Sequence, residues 1–207
     1  MPFRVAVLIS GEGTNLQALL DTVHGRDGIE VVGVASSRGE AGGLERARRA
    51  GVETAVFEIA GHSDRSARDR ALADWLDERS VDLVVLAGFM ELLGEEFIGR
   101  FRGRIVNVHP ALLPAFPGVR AIEQALEHGV KVMGVTVHFV DEGVDSGPII
   151  LQEAFALSYP SDIAAIEERV HGIEHRLLPQ AVRLIAASRV HVDADNPRLV
   201  RIDAEGD

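Results

Sequence analysis

The chain has 207 residues, a formal net charge of -11 and no cysteine. That length suits a single α/β domain over 1–207, burying roughly 70% of its unfolded surface, and the missing thiols exclude disulfides and thiolate metal sites. The acidic balance excludes a broad nucleic-acid surface, and no run nears eighteen uncharged apolar residues, so a soluble, cytoplasmic protein with no membrane partner is expected, as a monomer or homodimer.

Apolar runs of strand length alternate with segments of helical period. The strand runs cover 4–10, 30–37, 54–57, 83–86 and 104–108, and the helical patterns cover 15–23, 44–50, 65–79 and 121–128. The runs are near-continuous in Val, Ile and Leu, as in strands covered on both faces. Their βαβα order predicts a parallel sheet with helices on both sides. Runs 131–140 and 148–157 then predict an antiparallel extension, joined by the turn-rich loop 141–147. Residues 161–188 read as one long helix capped by Ser161 or Asp162, which Pro179 is expected to kink or divide. Segments 189–193 and 198–203 read as a small exposed hairpin.

The first strand run leads into Gly11, Glu12, Gly13, Thr14 and Asn15, and then into a helical pattern. Glycines there let backbone amides approach an anion, and the helix N-terminus adds partial positive charge. A dinucleotide fingerprint needs a third glycine at position 16, where Leu16 stands. It also needs an acidic residue at the end of the second strand, which instead reads Ala35-Ser36-Ser37-Arg38. No Gly-Lys-Ser/Thr follows either. NAD is therefore not expected, and the loop suits one phosphate monoester such as a ribonucleotide.

The fifth strand run ends Asn107-Val108-His109-Pro110. Asn107 and His109 are two apart, so an extended chain aims both at the same side. A carboxamide and an imidazole aimed at one point can donate to a developing oxyanion. Pro110 and Pro114 stiffen the exit. Asp145, flanked by Gly143 and Gly147, reaches His109 if its loop folds over the carboxyl edge of the sheet, and a carboxylate there favours the protonated ring.

Several stretches in fixed order resemble the folate-dependent glycinamide ribonucleotide formyltransferases of purine synthesis. They are ISGEGTNLQAL (9–19), LERAR (44–48), VVLAGFM (84–90), VNVHPALLP (106–114), VHFV (137–140), DSGP (145–148) and Glu174-His175. The resemblance implies a Rossmann-like, mixed but mostly parallel sheet with a long C-terminal helix and a small terminal hairpin. It implies formyl transfer from the co-substrate 10-formyltetrahydrofolate to the amine of glycinamide ribonucleotide, with no metal. It makes Asn107, His109 and Asp145 catalytic, Asp145 keeping His109 charged and relaying a proton through water. It assigns Gly11, Glu12, Gly13, Thr14, Asn15, Pro110 and Glu174 to the ribonucleotide. It assigns Arg65, Met90, Glu91, Leu92, Leu93, Asn107, Val140, Asp141, Glu142, Gly143 and Val144 to the folate. Position 91 is usually basic in the family and is Glu91 here; His171 stands where a longer polar or basic residue often approaches the phosphate.

Three rival readings have discriminating features. His171-Gly172-Ile173-Glu174-His175 fits an inverted zinc-peptidase pattern, but no third ligand is evident. Formyltetrahydrofolate hydrolases and methionyl-tRNA formyltransferases share a similar Asn, His and Asp set; the first usually carry an N-terminal regulatory domain and the second a C-terminal nucleic-acid-binding domain, and neither is expected here. A phosphate-ligand sensor would not need Asn107, His109 and Asp145 together.

Overall fold

The computed structural model describes residues 1–204; positions 205–207 of the single-domain reading lie outside them. The strands of the larger sheet follow the order β3-β2-β1-β4-β5-β6-β7, and β8-β9 form a separate pair. The chain divides into two compact units, Met1–Asn107 and Val108–Asp207.

The first unit runs β1 (Phe3–Ile9), α1 (Thr14–Thr22), β2 (Ile29–Ser36), α2 (Gly42–Arg49), β3 (Thr54–Val56), a short 3-10 turn (Ile59–Gly61), α3 (Arg65–Glu78), β4 (Leu83–Leu86), α4 (Glu95–Arg100) and β5 (Ile105–His109), whose end crosses into the second unit. Every pairing from β3 through β5 is parallel. Val5, Ala6, Val7, Leu8 and Ile9 are all fully buried, which an extended strand achieves only when both its faces are covered. The expected strands and helices are present to within a residue or two. Helix α4 was not expected: it has six residues and only Phe97 and Ile98 buried, too short to show a period.

The second unit contains α5 (Ala121–His128), β6 (Val132–Phe139), β7 (Ile149–Ala156), α6 (Ile163–Ala186), β8 (Val190–Val192) and β9 (Val200–Ile202). Strands β6 and β7 pair antiparallel, with a register shift between Val137 and His138. Such a bulge bends the strand and re-aims the side chain beside it. Helix α6 packs on β6 and β7, and β9 packs on β7. Asp162 caps α6 by accepting from the Ala164 N–H at 3.0 Å. Contrary to one expectation, Pro179 does not divide the helix, which continues for seven residues beyond it, to Ala186. Proline removes one N–H donor and crowds one carbonyl, and the buried apolar stripe of Ile173, Leu177, Leu178, Ala181 and Val182 holds the helix through it. No described helix is long and apolar enough to cross a membrane.

Candidate active site

In the first unit, Gly13 adopts φ 72°, ψ 39° immediately before α1, a left-handed conformation that suits glycine. A Cβ on Gly13 would lie 2.7 Å from the Cα of Gly43, and one on Gly42 would lie 2.9 Å from Glu12 Oε2. Gly13 therefore serves close packing of α1 on α2 as well as the turn, whereas a Cβ on Gly11 would meet nothing within 4 Å. The Gly43 N–H donates to the Gly11 carbonyl at 3.1 Å, and Arg46 Nε donates to the Glu12 carbonyl at 2.8 Å. Arg46, inside the 44–48 stretch, was not singled out in the sequence; its contact with the loop depends on the turn of the chain between two helices. Thr14 begins α1 and Asn15 is buried.

The same unit carries 90–93. Met90 and Leu92 are 66% and 58% exposed, Glu91 and Leu93 are half-buried, and Arg65 is exposed at the first position of α3. Asn107 is the half-buried third residue of β5.

In the second unit, His109 ends β5 and is 4% exposed. Its Nδ1 lies 3.4 Å from Asp145 Oδ2, so the expected pairing is present. Its Nε2 lies 2.8 Å from the Phe116 carbonyl oxygen. A carbonyl only accepts, so this contact requires a proton on Nε2. With a carboxylate facing Nδ1, both ring nitrogens face acceptors.

Asp145 is held from three directions. Its Oδ2 accepts from the Gly118 N–H at 2.7 Å, and its Oδ1 lies 3.6 Å from His138 Nε2. Burial pushes the carboxyl up, but the His138 contact, the Gly118 N–H and the charges of His109 and His138 outweigh it and hold the group below its ordinary value of 3.8. His138 Nδ1 in turn lies 2.8 Å from the Phe139 carbonyl. In the sequence His138 reads as one more residue of a buried strand, and the register shift beside it carries no sequence signal.

The exit from His109 is fixed by more than its prolines. The Thr136 hydroxyl donates to the Ala111 carbonyl at 2.6 Å and accepts from the Leu113 N–H at 3.1 Å. Gln152 Nε2 lies 2.9 Å from both the Leu113 carbonyl and the Thr136 hydroxyl. Thr136 and Gln152 carry no signal in the sequence either, since strand polar residues reveal their partners only once the strands are paired.

The 141–147 loop has its own bonds. Asp141 Oδ1 accepts from Ser146 Oγ at 2.6 Å and from the Gly143 N–H at 3.1 Å. Val140 and Asp141 are half-buried, whereas Glu142, Gly143 and Val144 are exposed. Glu174 is 6% exposed on α6 and Pro110 is half-buried. The rings of His171 and His175 stack at 6.2 Å; burial, then the charge of His171, holds His175 below its ordinary value. Among the described residues no group of three or more His, Cys, Asp or Glu side chains could hold a metal ion.

Known proteins share the sequence and the fold. Residues 3–182 match the formyl transfer domain model described as "Formyl transferase". The chain is 43% identical over 197 residues to the Bos taurus trifunctional purine biosynthetic protein adenosine-3, covering 95% of this chain and 19% of that protein; it thus spans about a fifth of the length of such relatives. A Mycobacterium tuberculosis phosphoribosylglycinamide formyltransferase is 44% identical, with 92% of this chain and 88% of that protein covered. The crystal structure of glycinamide ribonucleotide transformylase 1 from Symbiobacterium toebii is 50% identical and superposes with a TM-score of 0.92, covering 97% of this chain and 94% of that one. With the mixed sheet, the long C-terminal helix and the His109–Asp145 pair in hand, the chain belongs to the formyl transferase family, among the phosphoribosylglycinamide formyltransferases.

Proposed function

We propose that this protein transfers the formyl group of 10-formyltetrahydrofolate to the amine of glycinamide ribonucleotide in the cytoplasm, giving formylglycinamide ribonucleotide and tetrahydrofolate. The observation that carries the mechanism is the double engagement of His109. The Phe116 carbonyl takes Nε2–H at 2.8 Å. The other nitrogen, Nδ1, is only loosely held, 3.4 Å from Asp145 Oδ2, so Nδ1–H is the donor with capacity for an oxyanion. Asp145 beside that nitrogen balances the imidazolium charge.

The amine attacks the formyl carbon and a tetrahedral intermediate forms. Its oxyanion takes hydrogen bonds from the Asn107 carboxamide and from His109 Nδ1; one such donor is worth about 10²–10³ in rate. Asp145, held ionised by its partners, accepts the ammonium proton and returns it through water to the leaving folate nitrogen. The carbon keeps its oxidation state throughout, so the chemistry calls for no nicotinamide, and no step needs a metal. Gly11, Glu12, Gly13, Thr14, Asn15, Pro110 and Glu174 serve the ribonucleotide. Arg65, residues 90–93, Asn107 and residues 140–144 serve the folate.

The test is amine dependence. Tetrahydrofolate is expected to appear only when glycinamide ribonucleotide is present. Formate released at an equal rate without the amine overturns the proposal and points to a hydrolase.

A further inference from the structure

A buried ion pair in the first unit has no part in the mechanism above. Arg68 and Asp69, on α3, are 0% and 3% exposed. Arg68 Nε donates to Asp69 Oδ1 at 2.7 Å. Both then reach one short segment. Arg68 Nη2 donates to the Leu92 carbonyl at 3.3 Å, and Asp69 Oδ2 accepts from the Gly94 N–H at 2.8 Å. The two contacts straddle Leu93, so they specify the shape of that turn. The guanidinium also lies 5.7 Å from the centroid of the Phe89 ring, just before the segment. The segment's other end is pinned too: the Met90 N–H donates to Ser10 Oγ at 2.8 Å, and that hydroxyl is 2.6 Å from Ser37 Oγ.

Stability alone does not account for the pair. Buried ion pairs are often no better than apolar residues of the same volume, because desolvation offsets the attraction. This one leaves Arg68 Nη1 buried without a hydrogen-bond partner, an additional cost. What it does achieve is geometric. The pinned segment turns two apolar side chains, Met90 and Leu92, outward at 66% and 58% exposure. Apolar groups held in a fixed array before the ligand arrives suit the face of a flat heteroaromatic ring system, because little ordering entropy is lost on binding.

We infer that Arg68 and Asp69 are positioning residues for the folate: they hold 90–94 in the shape that receives the pterin, and so set folate affinity without touching substrate. This rests on the formyl-transfer reading. It assigns the pair a role separate from Asn107, His109 and Asp145, and from the exposed Arg65 three residues before Arg68.

The experiment replaces both charges at once, Arg68→Met with Asp69→Asn, so that neither is left buried and unpaired; Arg68→Lys is the conservative companion. Steady-state constants for both substrates are measured beside thermal unfolding. The double variant is expected to raise the KM for 10-formyltetrahydrofolate tenfold or more, with the KM for glycinamide ribonucleotide within about twofold and kcat within about threefold of wild type. Arg68→Lys keeps the charge but not the fork to two acceptors, and is expected to fall between them. An unchanged folate KM, or both KM values and kcat shifting together as the fold loosens, overturns the inference. If the double variant does not fold, a wild-type folate KM in Arg68→Lys overturns it and a raised one supports it. A wild-type protein that fails the amine-dependence assay removes the formyl-transfer reading itself, and this inference with it; a wild type that passes beside an unaltered double variant removes the inference alone.

Discussion

Asp145 offers its second carboxylate oxygen to His138: Oδ1 lies 3.6 Å from His138 Nε2, while Oδ2 faces His109 Nδ1 at 3.4 Å. One carboxylate thus stands between two imidazoles, each anchored at its far nitrogen by a backbone carbonyl, Phe139 for His138 and Phe116 for His109. His138 fixes the orientation of Asp145 and helps keep it ionised. His138→Asn is expected to lower kcat about tenfold to a hundredfold, or about 1.4–2.7 kcal/mol. Both KM values should stay near wild type, because His138 is 1% exposed and acts through Asp145. A kcat within twofold of wild type would show that Asp145 needs no second imidazole.

His109→Ala removes a donor whose charge lies beside the reacting carbon in the proposed mechanism. Turnover is expected to fall by two to three orders of magnitude, with the fold retained as judged by circular dichroism. Loss of a side chain 4% exposed leaves a cavity, so some drop in unfolding temperature is expected as well. Activity close to wild type would remove His109 from the mechanism.

Asp145 also has a signature in stability. A carboxyl whose folded-state pKa lies below its unfolded value binds fewer protons when folded, so it adds stability above the unfolded value, and that contribution is lost as pH falls through the folded one. For Asp145 the loss therefore begins below about 3.8. Urea unfolding followed from about pH 6 to about pH 3 should show a steeper acid decline in wild type than in Asp145→Asn. Parallel curves would mean that the histidine and Gly118 contacts do not outweigh burial in solution.

Gly13 distinguishes packing from ligand binding. Alanine there must adopt φ near 72°, at a cost of about 1–2 kcal/mol, and its Cβ meets the backbone of Gly43 at 2.7 Å. Neither can relax without moving α1 from α2. Gly13→Ala is expected to lower the unfolding temperature by several degrees, on the order of 2–4 °C per kcal/mol for a chain this size. It should also raise the KM for glycinamide ribonucleotide more than that for the folate. Equal effects on both would leave the loop with its packing role alone.

The contrast among these residues explains what was legible in the chain. The apolar runs of β1 and β4 announce themselves because every residue is buried, and Asn107 and His109 stand out because strand period puts two donors on one side. Asp145 is legible as a candidate from its flanking glycines and from the 145–148 stretch of the resemblance; its reach to His109 depends on the fold of the 141–147 loop. His138, Thr136 and Gln152 carry their roles through cross-strand register, a non-local property with no local signature. Arg68 hid for a different reason. Arginine in a helix of charged residues reads as a solvated face, and nothing in the local pattern of α3 marks one arginine as fully buried.

The C-terminal hairpin touches the loop that carries Asp145. Arg198 Nη1 donates to the Ser146 carbonyl at 3.1 Å, and a cavity of about 360 Å³ lined by Leu113, Pro114, Val144, Asp145 and Arg198 lies beside this contact. Arg198 is exposed, so its bond competes with water and contributes modestly. Asp141, by contrast, satisfies two groups of the loop through one half-buried carboxylate oxygen. The two substitutions should therefore separate in degree. Arg198→Ala is expected to lower kcat no more than about fivefold, near 1 kcal/mol, whereas Asp141→Ala, which releases Ser146 and Gly143 together, should cost tenfold or more. Hydrogen exchange over 141–147 should quicken in the same order, since protection there reports local opening. If Arg198→Ala proves the more damaging, the hairpin rather than the loop's own bonding holds Asp145 in place.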